Sequence, residues 1–161
     1  MKTFILSAIA FLIISIISSC KKSTAASAYT PVNSMTATIG GIYYTFHDIT
    51  IDTFFVLGGM NELTIQGSND TVSIQVSVQT NNKPLTARIY NENDSVYTAG
   101  FDFNQGTLEN NNSTTNPFTA TITSISATSL YVTFQGNVYG FDSTVIKKVV
   151  TNGVINYNNL G

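Results

Sequence analysis

Tryptophan is absent from the chain, cysteine and histidine occur once each, and only 10% of the residues are charged. Each shortage removes a class of chemistry. A single cysteine cannot close an internal disulfide, so oxidative stapling plays no part in the fold. Cys20 and His47 together cannot supply the several thiolate or imidazole ligands that zinc takes. A net charge of −2 with no basic stripe interleaved with aromatics leaves no footprint for nucleic acid. His47 stands beside Asp48, with Asp52 further on, yet no Gly-x-Ser-x-Gly turn offers an activated serine. His47 therefore reads as a turn residue, and the expectation is a protein that is not an enzyme and takes no cofactor or metal.

Long apolar runs are also missing. The longest, from Phe4 to Ile17, is interrupted by Ser7 and Ser15 and falls short of the roughly 20 residues that a spanning helix needs. With Lys2 before it and small residues after it, the run has the layout of a secretory leader. Ile17-Ser18-Ser19-Cys20 resembles a bacterial lipobox. The resemblance implies cleavage before Cys20, acylation of Cys20, and a mature chain that starts there. Each buried acyl methylene contributes about 0.8 kcal/mol, so the three chains of a mature lipoprotein would hold it on the membrane.

The divisions that follow are a signal peptide over 1–19, a lipidated cysteine and flexible tether over 20–33, and one domain over 34–161. The tether, with Lys21-Lys22-Ser23-Thr24-Ala25-Ala26, is small and polar, with a coil dimension of about 20 Å and a taut length of about 43 Å. Surface export in lipoproteins like those of Bacteroidota is associated with acidic residues after the cysteine. Here Lys21 and Lys22 stand there, which places the protein in the outer membrane facing the periplasm.

What the chain has in plenty is Thr, Ser, Asn, Val, Ile, Tyr and Phe, a composition of strands and polar turns. From Thr71 to Thr80, Val72, Ile74, Val76 and Val78 alternate with polar residues, the pattern of a half-buried strand. Met35 to Ile39, the Gly40-Gly41 turn and Ile42 to Phe46 read as a hairpin. Further strands are read over Leu63-Ile65, Leu85 to Tyr90, Tyr97 to Phe103, Phe118 to Ile122, Leu130 to Phe134, Val145 to Val150 and Val154 to Tyr157. Turns fall at Asn69-Asp70, Asn81 to Pro84, Asn91 to Asp94 and Asn152-Gly153. Asn104 to Asn116 reads as a mobile polar loop, Phe54 to Leu57 as a core strand, and Lys147-Lys148 as the charged guard of an edge strand. The fold expected is an all-β antiparallel meander of roughly eight to ten strands, closed as a β-sandwich or flattened barrel.

Thr119-Ala120-Thr121-Ile122-Thr123, Val132-Thr133-Phe134-Gln135-Gly136 and Thr151-Asn152-Gly153-Val154 resemble segments of a family of small Bacteroidota lipoproteins with an all-β domain of unknown function. Met35-Thr36-Ala37-Thr38-Ile39-Gly40-Gly41 and Leu63 to Ser68 are similar to it too. The resemblance implies a hairpin at Asn152-Gly153 that closes the fold, and nothing about activity.

The residues that could carry chemistry are few. Asn91 to Asp94 together with Asn69-Asp70 could offer oxygens to calcium, though β-turns require the same residues. Asp48, Asp52, Asp102, Glu109 and Asp142 could supply a carboxylate pair, with nothing in their spacing to select one. Tyr43, Tyr44, Tyr90, Tyr97, Tyr131, Tyr139 and Tyr157 could replace tryptophan in stacking on a sugar or could line a pocket. Thr71, Ser95 and Ser143 each follow an aspartate in a tripeptide that resembles the acceptor of Bacteroidota O-glycosylation. The reading is a membrane-anchored envelope lipoprotein, a non-catalytic binding or structural module with an envelope protein or a glycan as partner. The alternatives are a small-ligand carrier with an aromatic-lined cavity and a hydrolase of unrecognised type.

Overall fold

The computed structural model describes residues 33–56, 60–104, 108–110, 113–140 and 145–158. Cys20, the leader and nearly all of the tether, and also Ser143, Asp142 and Leu57, lie outside the described residues. Every regular element among the described residues is a strand: β1 (Ser34–Ile39), β2 (Ile42–Phe46), β3 (Asp48–Val56), β4 (Met60–Ser68), β5 (Ser73–Asn81), β6 (Arg88–Asn91), β7 (Tyr97–Phe103), β8 (Leu108–Glu109), β9 (Thr119–Ile125), β10 (Ser129–Tyr139) and β11 (Ile146–Asn158). They form one antiparallel sheet in the order β2-β1-β11-β10-β8-β7-β5-β4-β3, with β9 and then β6 branching from β10. The sheet curls until it nearly closes, giving the sandwich or flattened barrel that the alternation predicts.

Two layers result because β8 meets β10 through one residue pair only, Tyr139 with Glu109. One layer is β6-β9-β10-β11-β1-β2 and the other is β8-β7-β5-β4-β3. Period-2 patterning sends one side chain in two to the space between them. On β5, Ile74, Val76 and Val78 point inward and are buried. Across the core, Phe101 of β7 meets Phe118 and Phe134 from the other layer at ring-centroid distances of 5.1 and 6.4 Å. Tyr90 is fully buried, and its hydroxyl accepts from the Thr86 N–H and donates to the Thr86 carbonyl. The open corner is pinned where the Asn69 side chain donates to the Thr45 carbonyl at 3.1 Å and the His47 N–H donates to the Ser68 carbonyl at 3.0 Å.

Several local expectations are corrected. Asn152-Gly153 makes no hairpin; Val145 to Tyr157 is essentially one long strand, β11, with a bulge where Asn152 has φ of 51° and the ladders to β1 and β10 both shift register. The same tolerance of positive φ that makes Asn-Gly a turn signal serves a bulge here. Lys147 and Lys148 are not on an edge strand, since β11 lies between β10 and β1. They occupy its first residues, which overhang β1, whose pairing ends at Ile39 with Val150. Phe54 to Val56 belong to β3, which hairpins with β4 and is the last strand in the order. Leu85 to Ala87 precede β6 and are not part of it, and the polar loop after Asn104 contains β8.

Candidate functional site

The outer faces of the two layers differ in chemistry. On the first, the register places Ile89, Thr121, Thr133, Val154, Thr36 and Thr45 in one row across all six strands. Tyr131 stands beyond this row on one side, opposite Asn156, and Tyr43 on the other, opposite Thr38. Inward neighbours fix these directions: Leu130 and Val132 flank Tyr131, and Phe46 and Ala37 are buried beside the Tyr43 row. Tyr43 is 64% exposed and Tyr131 is 36% exposed. Three strand spacings and two rows put them about 20 Å apart. No charged residue lies in the row or between these tyrosines, and the row itself carries threonine hydroxyls and β-branched aliphatic side chains.

On the second layer the outward side chains are amides, hydroxyls and carboxylates. Thr50, Gln66, Gln75, Asp102 and Glu109 share one row, and Asp48, Ser68 and Ser73 the next. Asp52 and Glu62 stand at outward positions of the same sheet. An open cavity of about 470 Å³ runs across these rows, between Asp48 and Thr50 of β3 and Gln75 and Asp102 of β5 and β7. Gln66 donates to Gln75 at 3.3 Å along its floor. The basic residues of the folded domain are elsewhere. Lys147 and Lys148 are in the other layer, and Arg88 stacks on Tyr97 with its guanidinium carbon 3.2 Å from the ring centroid. Lys83 follows the far end of β5.

The loops carry less than their composition suggests. Asn69-Asp70 and Asn91 to Asp94 sit at opposite ends of the sheet, separated by the length of β5, about 26 Å, so they cannot share a calcium ion. No group of three or more His, Cys, Asp or Glu side chains able to hold a metal occurs among the described residues. Asn69 and Asp94 instead cap their own turns: Asn69 Oδ1 accepts from Thr71 and Val72, and Asp94 Oδ1 accepts from Val96 at 2.8 Å and Tyr97 at 3.0 Å. Those two N–H groups hold the Asp94 carboxyl below the usual carboxylate range, with a smaller contribution from the positive charge of Arg88. Since the folded value is depressed, Asp94 contributes stability above its unfolded value near 3.9 and loses it as pH falls through the lower folded value. A carbon-detected NMR titration is expected to find the Asp94 midpoint below about 3.9, and Asp94→Asn to remove its share of the acid-side slope of stability.

Glu92 has no distinguishing signal in the sequence. It sits in a run of turn residues, yet it is only 5% exposed. Its Oε1 accepts from the N–H groups of Ser113 at 3.0 Å and Phe118 at 2.8 Å, while its own N–H donates to the Phe118 carbonyl. Asn137, also buried, donates to the Thr115 carbonyl at 2.6 Å and accepts from Asn116 at 3.0 Å. Together they clamp residues 113–118, so that end of the loop is built rather than mobile. Only the burial of a charged residue between turn signals reveals it, and no pattern in the sequence carries that.

The other residues singled out from the sequence fall as follows. His47 and Asp48 are exposed at the corner between β2 and β3. Asp102 and Glu109 face one another across β7 and β8, the one pair of the candidate carboxylates among the described residues placed in direct register. Tyr44, Tyr90, Tyr97, Tyr139 and Tyr157 are buried or packed on the core, which among the described tyrosines leaves Tyr43 and Tyr131 outside. Thr71 and Ser95 are exposed in turns, and the Thr71 hydroxyl is bonded to Asn69 Oδ1 at 3.1 Å. No family model, curated protein or solved structure matches the chain.

Proposed function

We propose that the chain is a lipid-anchored, non-catalytic binding module of the cell envelope, held by Cys20 and contacting an uncharged glycan through the Thr/Tyr face. The observation that carries the reading is the sorting of the tyrosines. Of the seven tyrosines among the described residues, five pack inside or at the rim, and the two left exposed share one outer face with no charged residue between them. Aromatic rings about 20 Å apart with hydroxyls between them offer stacking at two points and hydrogen bonds along the span. The carrier alternative loses support because the inward tyrosines that would line its cavity are packed on the core. A hydrolase would rely on Asp102 and Glu109, which lie on an outer face with His47 at a remote corner.

Two measurements test the reading. Protein from its native host is expected to begin at Cys20 with acyl mass and to enter the detergent phase, and Cys20→Ala to lose both; an unacylated, freely soluble wild type removes the anchor. Wild type is expected to co-sediment with an insoluble neutral polysaccharide. The Tyr43→Ala, Tyr131→Ala double variant should retain its far-UV spectrum and lose at least 10-fold in binding, as two stacking contacts of about 1 kcal/mol each imply. Equal retention of both proteins, or of neither, removes the face. Thr71, Ser95 and Ser143 enter as proposed O-glycan attachment sites, and an intact mass without hexose increments on native-host protein overturns that assignment.

A further inference from the structure

We propose that the cavity on the opposite face, between Asp48 and Asp102, is a second binding site, for a hydroxyl-rich ligand that bears amines: an amino sugar of one or two rings. It rests on different residues from the Thr/Tyr face and stands or falls without it. The volume of about 470 Å³ suits a ligand of that size. Its chemistry is sorted by position. Carboxylates stand at the two ends, and Thr50, Gln66, Ser73 and Gln75 lie between them. From β3 to β7 is three strand spacings plus one row, so the two aspartate backbones are about 15 Å apart.

That separation decides among ligands. Asp48 and Asp102 are too far apart to share a metal ion, whose oxygen ligands lie at about 2.0–2.6 Å. Each end can instead accept an ammonium in a charge-assisted hydrogen bond. The middle offers amides that donate and accept and hydroxyls that do both, the complement of sugar hydroxyls. Anionic ligands are repelled, because Asp48, Asp52, Glu62, Asp102 and Glu109 all stand on this face and no basic side chain lines the cavity. Selection then runs by charge: the deacetylated sugar over its neutral N-acetyl form, and both over a uronic acid.

The detergent-solubilised native chain is titrated by calorimetry with the glucosamine disaccharide, its di-N-acetyl form and glucuronic acid. The glucosamine disaccharide is expected to bind at least 10-fold more tightly than the acetylated form, and glucuronic acid to give no heat. Asp48→Asn and Asp102→Asn, both at outward positions that leave the core untouched, should each weaken the disaccharide at least fivefold. Glu62→Gln, on the same face but outside the cavity, should leave it within twofold. Equal affinity for the three sugars, no binding of the glucosamine disaccharide, or the same loss from Glu62→Gln as from the cavity variants overturns the proposal, the last by showing a diffuse field in place of a site.

Discussion

Glu92→Ala is expected to destabilise the domain by about 3 kcal/mol, a fall in Tm of roughly 10 °C for a chain of this size. The loss comes from what the truncation leaves behind. The N–H groups of Ser113 and Phe118 both end on Glu92 Oε1, and both are enclosed. A buried donor stripped of its acceptor costs about 1–3 kcal/mol, and alanine strips two. Glu92→Gln separates hydrogen bonding from charge. Its amide oxygen can take the place of Oε1, and its amide nitrogen falls where Oε2 is buried with no partner. The glutamine variant is therefore expected within about 1 kcal/mol of wild type, since a neutral amide is less costly to bury than a carboxylate oxygen without a donor. Urea unfolding of the three proteins checks this. A glutamine variant as weak as the alanine one would mean that the carboxylate charge holds the loop, and an alanine variant as stable as wild type would mean that water takes up both donors.

Much of the fold is legible in the sequence because it depends on a local period. The alternation through Ile74, Val76 and Val78 states which side of β5 faces the core, and the Gly40-Gly41 turn, with φ of 60° and 84°, states where β1 meets β2. What is not legible is pairing between distant segments. Nothing in Ser34 to Ile39 says that its second neighbour is the last strand of the chain, or that β6 leaves β5 to join β9 in the other layer. The candidate sites suffer most from this. Asp48 and Asp102 are 54 positions apart in sequence and share a cavity only because β3, β4, β5 and β7 are laid side by side. Tyr43 and Tyr131 share a face only because β2 and β10 belong to the same layer, while Tyr44, one position on, points into the core and packs on Phe103 at 5.9 Å. Turn chemistry misleads in the same way: Asn152-Gly153 announces a change in backbone direction, and only the neighbouring strands decide whether it becomes a hairpin or a bulge.

Gly136→Ala is expected to destabilise the domain by about 4 kcal/mol. Gly136 lies in the irregular part of β10, where the ladder to β11 shifts register, and has φ of 148°. A β-carbon there would lie 2.3 Å from the Phe118 Cα, 2.7 Å from its nitrogen and 2.8 Å from the Pro117 carbonyl oxygen. All three are backbone atoms of the segment that Glu92 clamps, so no rotamer change relieves the contact. Backbone strain of about 1–3 kcal/mol adds to an overpacking cost of similar size. Gly41→Ala supplies the control. Its φ of 84° is also unsuited to alanine, but nothing lies within 4 Å of its would-be β-carbon, so only about 1–2 kcal/mol is expected there. Thermal unfolding of the two variants separates the costs. If Gly136→Ala falls no further than Gly41→Ala, residues 117–118 can draw away from β10, and the Glu92 and Asn137 clamp holds them less firmly than its geometry requires; a drop at least twice as large means that the clamp fixes the loop hard against the strand.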